Sequence, residues 1–421
     1  MVKTIVLLLD GLGDRPQKEL NGKTPLEAAN TPNLDILCQQ AETGMMIPWR
    51  QGVPLGTEVA HFILFGYEIK DFPGRGIINA LSRNFFLEED AVYMVTSWAY
   101  VEEKEGLFIK ERWTKDISLE EIMALKEVLP REIEGVTLQW DYSIGPHGVL
   151  KLKGDSISSE ISDSDPFYDQ GYVMAIEAFE TNASNAEHTA KVLNRYLRES
   201  YAYLKHHPIN LDRVHKGKQP ANFLLTKWAG RKPNLRPFEE KHGMEGCIVG
   251  SSQLMLGISK LLGMDYINYK DLKEGVDLAL NSDYEFIHLH TKTPDEAAHT
   301  KNPHNKVKVL EEIDGYLKPL VDAALKEDLL LVVTGDHTTP SSGEMIHSGE
   351  SLPIMFIGKN VRVDDVKTFG ERSCSKGSIR MEGCDLIQMI LNLTERALFY
   401  NFRPGARRLN HIPKTIKKLK L

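Results

Sequence analysis

Thr4–Asp14 reads TIVLLLDGLGD. A β-branched, leucine-rich run breaks abruptly into Asp10-Gly11-Leu12-Gly13-Asp14, the pattern of a parallel strand buried on both faces that ends in a tight polar turn. Three later runs have the same form: Glu285–His290 (EFIHLH), Leu329–Val333 (LLLVV), which stops at Thr334-Gly335-Asp336-His337, and Pro353–Ile357 (PIMFI). Amphipathic helical patterns lie between them, at Ser251–Leu262 and Asn305–Ala324. This alternation predicts an α/β fold, a mostly parallel sheet flanked by helices.

Ligands of open α/β sheets collect at the carboxyl ends of the strands. The polar motifs that follow these runs come from opposite ends of the chain, so one sheet built from both ends would gather them and make the middle an insertion. From Arg83 to His206 the texture does change. Ala91–Tyr100 and Val149–Leu152 alternate, and Ala186–Leu204 is one long helical pattern. The expected division is therefore 1–83 with 207–421, interrupted by a smaller α+β domain at 84–206. A chain of 421 residues is long enough for two cores.

The formal charge of −8 argues against a general nucleic-acid binder. It does not exclude a phosphorylated substrate, because a bound metal can supply local positive charge. Cys38, Cys247, Cys374 and Cys384 form no CxxC pair, which points to reduced thiols rather than a zinc knuckle or a disulfide framework. The opening apolar run of about six residues is too short for a signal segment or a membrane span. A cytoplasmic protein without a membrane partner is expected. Lys414–Leu421 (KTIKKLKL) reads as a solvated tail.

Four segments carry side chains suited to chemistry. In Thr334–His347 (TGDHTTPSSGEMIH), adjacent Asp336 and His337 follow a strand and His347 comes later; carboxylate with imidazole suits Zn or Mn. In His290–His299 (HTKTPDEAAH), Asp295 and His299 stand four apart, on one face of a helical turn; a dipole-favoured helix start with a solvated histidine is the plainer reading. Lys292 could meet an anion, and His304 reads as surface. Asp10 is either a ligand or a turn residue. In Pro54–His61 (PLGTEVAH), Thr57 opens a helix, either as an N-cap or as a hydroxyl placed where the dipole favours anions.

Their joint order is Asp, hydroxyl, Asp-x3-His, Asp-His, His. This order resembles the alkaline phosphatase superfamily. Carried over by that resemblance, one metal takes Asp10, Thr57, Asp336 and His337, and a second takes Asp295, His299 and His347. Two divalent cations are implied, with Mn²⁺ or Zn²⁺ favoured and Mg²⁺ admitted. Such a pair can activate the attacking oxygen and neutralise the phosphoryl group in flight.

Further motifs narrow the resemblance: DGLGDRP, GKTPLEAANTPNLD, GTEVAH, Gly74-Arg75-Gly76, PANFLLTKWAGRKPNLRPFEEKHG, PDEAAH, TGDHTTP and SCSKG. Together they are similar to the archaeal-type cofactor-independent phosphoglycerate mutases, over residues 3–395; residues 397–421 read as an extension. The resemblance implies that Thr57, as nucleophile, takes the phosphoryl group of 3-phosphoglycerate and returns it to the 2-hydroxyl of the retained glycerate. It implies that His61, Arg75 and Lys292, all placed in the metal domain, grip the small phosphorylated carboxylate. Asp163 or Asp165 of the insertion would move the hydroxyl protons.

Several positions depart from the family pattern. Thr57 stands where Ser is usual, Asn79 where Glu is common, and Phe167 follows Pro166 in place of His. Arginines expected in the insertion are reduced to Glu111-Arg112-Trp113-Thr114-Lys115, and a His-Arg pair has become His147-Gly148. An Arg fork binds a carboxylate through two parallel bonds, which neither Trp nor Gly can do. The alternative is a paralogous phosphohydrolase or phosphotransferase acting on another small phosphorylated or phosphonate compound. A non-catalytic binding protein is the third class.

Overall fold

The computed structural model describes residues 2–179, 183–326, 329–397 and 419–420. Of the Lys414–Leu421 tail, all but Leu419 and Lys420 lies outside the described residues. Two compact units form, one from Met1–Phe72 with Leu235–Leu421 and the other from Pro73–Asn234. In chain order the strands are β1 (Lys3–Leu9), β2 (Glu42–Ile47), β3 (Ala91–Glu103), β4 (Leu107–Glu111), β5 (Glu132–Ile133), β6 (Val136–Ile144) and β7 (His147–Lys153). They continue with β8 (Phe223–Arg231), β9 (Gly246–Gly250), β10 (Asp265–Asn268), β11 (Phe286–Thr291), β12 (Leu329–Thr334), β13 (Leu352–Ile357) and β14 (Ile379–Glu382).

The first unit holds an eight-stranded sheet in the order β10-β9-β11-β1-β12-β13-β2-β14. β1 lies parallel between β11 and β12, with Leu9 paired to Thr291 and Leu8 to Thr334, so the three strands end level. Ile5 to Leu9 are fully buried. At about 1.5–3 kcal/mol per buried aliphatic side chain, this strand anchors the unit. The pattern is mostly parallel, as the alternation of strands and helices suggested. β13 is the exception: it runs antiparallel to both β12 and β2. The helical pattern Asn305–Ala324 is two helices, Pro303–Tyr316 and Lys318–Ala324, because Pro319, without an N–H, restarts the helix after Leu317.

The second unit is larger than the expected 84–206. It begins before the helix Arg75–Ser82 and ends after β8, since β8 pairs antiparallel with β3 from Val92 to Ala99 and that helix packs on both strands. Its sheet runs β4-β3-β7-β6-β5, with β8 on the other side of β3. The helices Ala183–Lys205 and Leu119–Lys126 contribute to a core with Trp98 and Trp140. This is an α+β arrangement.

The four cysteines are free. Among the described residues no helix is long and apolar enough to cross a membrane.

Candidate metal centre

Because β11, β1 and β12 end level, the residues that follow them meet at one edge of the sheet. Asp10 follows β1 and Asp336-His337 follow β12. His337 Nε2 lies 3.2 Å from Asp10 Oδ1 and 3.3 Å from Asp336 Oδ2. Thr57 is the first residue of the helix Thr57–Leu64, capped by Gly56, and its Oγ1 lies 3.2 Å from the same Nε2. The cap is thus a glycine, and the threonine hydroxyl is left for the cluster at the positive end of the helix.

A second cluster adjoins the first. In the helix Thr293–His299, Asp295 Oδ1 is 3.3 Å from His299 Nε2, as the four-residue spacing requires, and 3.6 Å from His347 Nε2. His347 is held by its Nδ1 donating to the Leu55 carbonyl at 2.6 Å. The His347 and His337 rings stack with centroids 3.9 Å apart, so the clusters are in contact. Lys292 Nζ sits 3.9 Å from Asp10 Oδ2 and 3.5 Å from Asp295 Oδ2, reaching toward both.

Asp10 and Asp336 are fully buried, and Asp10 Oδ1 and Asp336 Oδ2 receive no hydrogen bond. Burial alone would favour neutral carboxyls. For Asp10 it is outweighed by His290 and His337, which hold the carboxyl well below its usual range. For Asp336 burial and the neighbouring Asp10 charge push the carboxyl well up. Two carboxylate oxygens and an imidazole nitrogen, all within 4.8 Å of one another and short of donors, form a group suited to hold a cation. The same spacing holds for Asp295, His299 and His347. Gly11 permits this convergence. Its N–H donates to Asp336 Oδ1 at 3.0 Å, its φ is +64°, and a Cβ there would stand 2.6 Å from Thr339 Oγ1 and 2.9 Å from Asp295.

Of the residues expected to hold substrate, His61 has its Nδ1 3.5 Å from Asp336 Oδ2, at the edge of the first cluster. His61 is wholly buried, its Nδ1 donating to the Thr57 carbonyl at 2.7 Å and its ring packed edge-on against His288 and His290. Burial, with His290 nearby, lowers its pKa to about 3. It therefore braces the helix start as a neutral ring and has no surface with which to grip an anion. Arg75 belongs to the second unit, not to the metal domain, and its guanidinium lies 4.5 Å from the Trp228 ring centre. Asp165 is locked between Arg112, which donates twice at 2.8 and 2.9 Å, and Lys227 at 3.0 Å. Asp163 accepts the Trp228 N–H at 2.7 Å, and burial pushes its carboxyl up to about 6. His304 is exposed, as expected.

Among the departures in the insertion, Gly148 has a packing explanation. A Cβ on Gly148 would stand 2.3 Å from Trp140, so the indole occupies the place of any side chain there. Cations lie near His147 instead: after burial, Lys227, Arg75 and Arg112 lower its pKa, and Lys227 lies 4.8 Å from the Trp228 ring that Arg75 covers.

Two residues at the site do not stand out in the sequence: His290, whose Nε2 lies 3.0 Å from Asp10 Oδ2, and Thr339. The first left a signal, since His288 and His290 alternate within a strand that is otherwise apolar.

A family model described as the Metalloenzyme superfamily matches residues 2–393, which sets the class. Among curated relatives, the 2,3-bisphosphoglycerate-independent phosphoglycerate mutase 2 of Methanocaldococcus jannaschii is 50% identical, over 98% of each chain. That match runs into the stretch after residue 397, so this relative shares much of the extension. The phosphoglycerate mutase of Pyrococcus furiosus is 34% identical, over 94% of this chain and 98% of its own. A solved Pyrococcus horikoshii protein superposes with a TM-score of 0.77 at 29% identity, covering 95% of this chain and 99% of its own. The cofactor-independent phosphoglycerate mutase of Thermoplasma acidophilum gives 0.63 at 27%, covering 93% and 100%. The chain belongs to the 2,3-bisphosphoglycerate-independent phosphoglycerate mutase family, within that superfamily. It is an isomerase of the intramolecular phosphotransferase kind, dependent on divalent metal.

Proposed function

We propose that this chain interconverts 3-phosphoglycerate and 2-phosphoglycerate through a phosphothreonine at Thr57, with no bisphosphoglycerate. The observation that carries this reading is the Thr57 hydroxyl, at a helix N-terminus and 3.2 Å from His337 Nε2, beside two ligand clusters. Asp10, Asp336, His337 and Thr57 hold one cation, and Asp295, His299 and His347 hold the other. Mn²⁺ or Zn²⁺ suits the mixture of carboxylate and imidazole, and Mg²⁺ suits it less. When bound, the two ions supply the positive charge that lowers the Thr57 hydroxyl pKa and offsets phosphoryl charge.

The residues do the rest. Thr57 Oγ1 gives up its proton and attacks phosphorus, the bond to the 3-oxygen breaks, and that oxygen takes up the proton to become a hydroxyl. The 2-hydroxyl then gives up its proton and attacks phosphothreonine, the bond to Thr57 Oγ1 breaks, and that oxygen takes the proton back. Lys292, beside both clusters, meets the phosphoryl oxygens. Asp163, with its raised pKa, is suited to carry the proton in each half. Asp165 is not, because its two ion pairs hold it ionised. Arg75 keeps the substrate-gripping role that the resemblance assigns to it.

The test is the metal-loaded protein given 3-phosphoglycerate without bisphosphoglycerate, with enolase as coupling enzyme and free phosphate measured in parallel. Formation of 2-phosphoglycerate is expected. Release of phosphate alone would replace the mutase with a phosphohydrolase. Bound metal with no turnover would leave a binding protein.

A further inference from the structure

The two ligand clusters share one hydroxyl. Thr339 Oγ1 donates to Asp295 Oδ1 at 2.7 Å and lies 3.1 Å from His337 Nδ1. A hydroxyl has one proton to give. With that proton on Asp295, the contact to His337 is the imidazole Nδ1–H donating to Thr339. The bare nitrogen of His337 is then Nε2, the atom that faces Asp10, Asp336 and Thr57. One chain of hydrogen bonds therefore runs from a residue of the first cluster, through Thr339, to a residue of the second.

The backbone of Thr339 is fixed on both sides. Its N–H donates to the Gly13 carbonyl at 3.1 Å. Its carbonyl accepts from Lys306 Nζ at 3.0 Å, and the same fully buried ammonium donates to Gly13 at 2.8 Å and to Asp14 at 3.1 Å. The hydroxyl is thus held between the clusters by the loops that follow β1 and β12. It is wholly buried, out of reach of bulk solvent.

We propose that Thr339 is a positioning residue that couples the two metal positions, an inference that rests on the two-cation reading above. With a cation held by His337 Nε2, Nδ1–H would be a stronger donor to Thr339, and the bond from Thr339 would hold the Asp295 carboxylate oriented for the second ion. Outer hydrogen bonds of this kind set ligand tautomer and orientation, and losing one typically weakens metal affinity by about 10- to 100-fold.

The experiment titrates Mn²⁺ into the metal-free full-length protein by calorimetry, with bound ions counted by paramagnetic resonance, for wild type, Thr339→Val, Thr339→Ala and Thr339→Ser. Wild type should bind two ions, the first favouring the second. In Thr339→Val and Thr339→Ala the second ion should weaken by about tenfold or more and the cooperativity should vanish, whereas Thr339→Ser should restore both. Should the valine variant not fold, as judged by circular dichroism, the alanine and serine pair carries the comparison. Two-ion binding in alanine or valine variants indistinguishable from wild type overturns the coupling and leaves the two-cation reading standing. Equal weakening of both ions, unrepaired by serine, also overturns it. A wild-type protein that binds fewer than two ions contradicts the two-cation reading itself.

Discussion

His337 Nε2 stands 3.2 Å from Asp10 Oδ1, although the two residues follow strands near opposite ends of the chain. Only the level ending of β1 and β12 allows this contact. Its consequence is a buried pair of acceptor-rich side chains that a cation would complete.

Removal of either partner should therefore cost an ion rather than the fold. Asp10→Asn or His337→Ala should reduce the bound divalent metal from about two per chain to about one, and Asp295→Asn should do the same at the other position. Elemental analysis of protein reconstituted with Mn²⁺ checks this. Each variant should also lose most of its activity.

Thr57→Ala deletes the hydroxyl and keeps the helix start, which Gly56 caps. Turnover should fall by roughly 10³-fold or more while metal content stays near wild type. Steady-state assay beside metal analysis separates the two effects.

Asp163 sets the expected pH dependence. Its carboxyl, pushed up to about 6 by burial, must be ionised to accept a proton, so kcat/KM should fall as pH drops through about 6. Asp163→Asn should flatten that limb and cost about 10²- to 10⁴-fold in rate. The same shift has a stability consequence of defined sign. The folded carboxyl binds its proton more tightly than the unfolded one, whose value is near 3.8, so its contribution is fully present below 3.8 and is lost as pH rises through about 6. Thermal melts of Asp163→Asn should accordingly gain on wild type above that pH.

Lys306 and Asp14 form a wholly buried ion pair at 3.1 Å. Truncation of the lysine leaves the carboxylate and two backbone carbonyls short of a donor. Lys306→Ala should destabilise the first unit by roughly 3–5 kcal/mol, measurable by urea unfolding.

Much of this was legible in the sequence because it depends on local pattern. The unbroken apolar runs at Thr4–Leu9 and Leu329–Val333 announce buried strands, and the four-residue spacing of Asp295 and His299 puts them on one helix face. What was not legible depends on partners distant in sequence. β8 looks like any other strand until it pairs with β3, and that pairing draws the second unit out to Pro73–Asn234. The antiparallel course of β13 leaves no mark in its composition. His61 shares a helix with Thr57, and nothing in its neighbours says that it turns into the sheet. Asp165 reads as a proton carrier until Arg112 and Lys227 are seen on either side of it. The substitution of Gly148 for arginine looked like a lost contact and is instead space taken by Trp140.

The most direct measurement is on Thr57 itself. Wild-type protein loaded with Mn²⁺ is mixed with 3-phosphoglycerate, quenched in acid within a turnover, and its peptides are read by mass spectrometry. The covalent mechanism predicts a phosphorylated Thr57 that forms and decays at the rate of turnover and is absent from Thr57→Ala. Full turnover with Thr57 unmodified, or with the phosphoryl group on another residue, would contradict it.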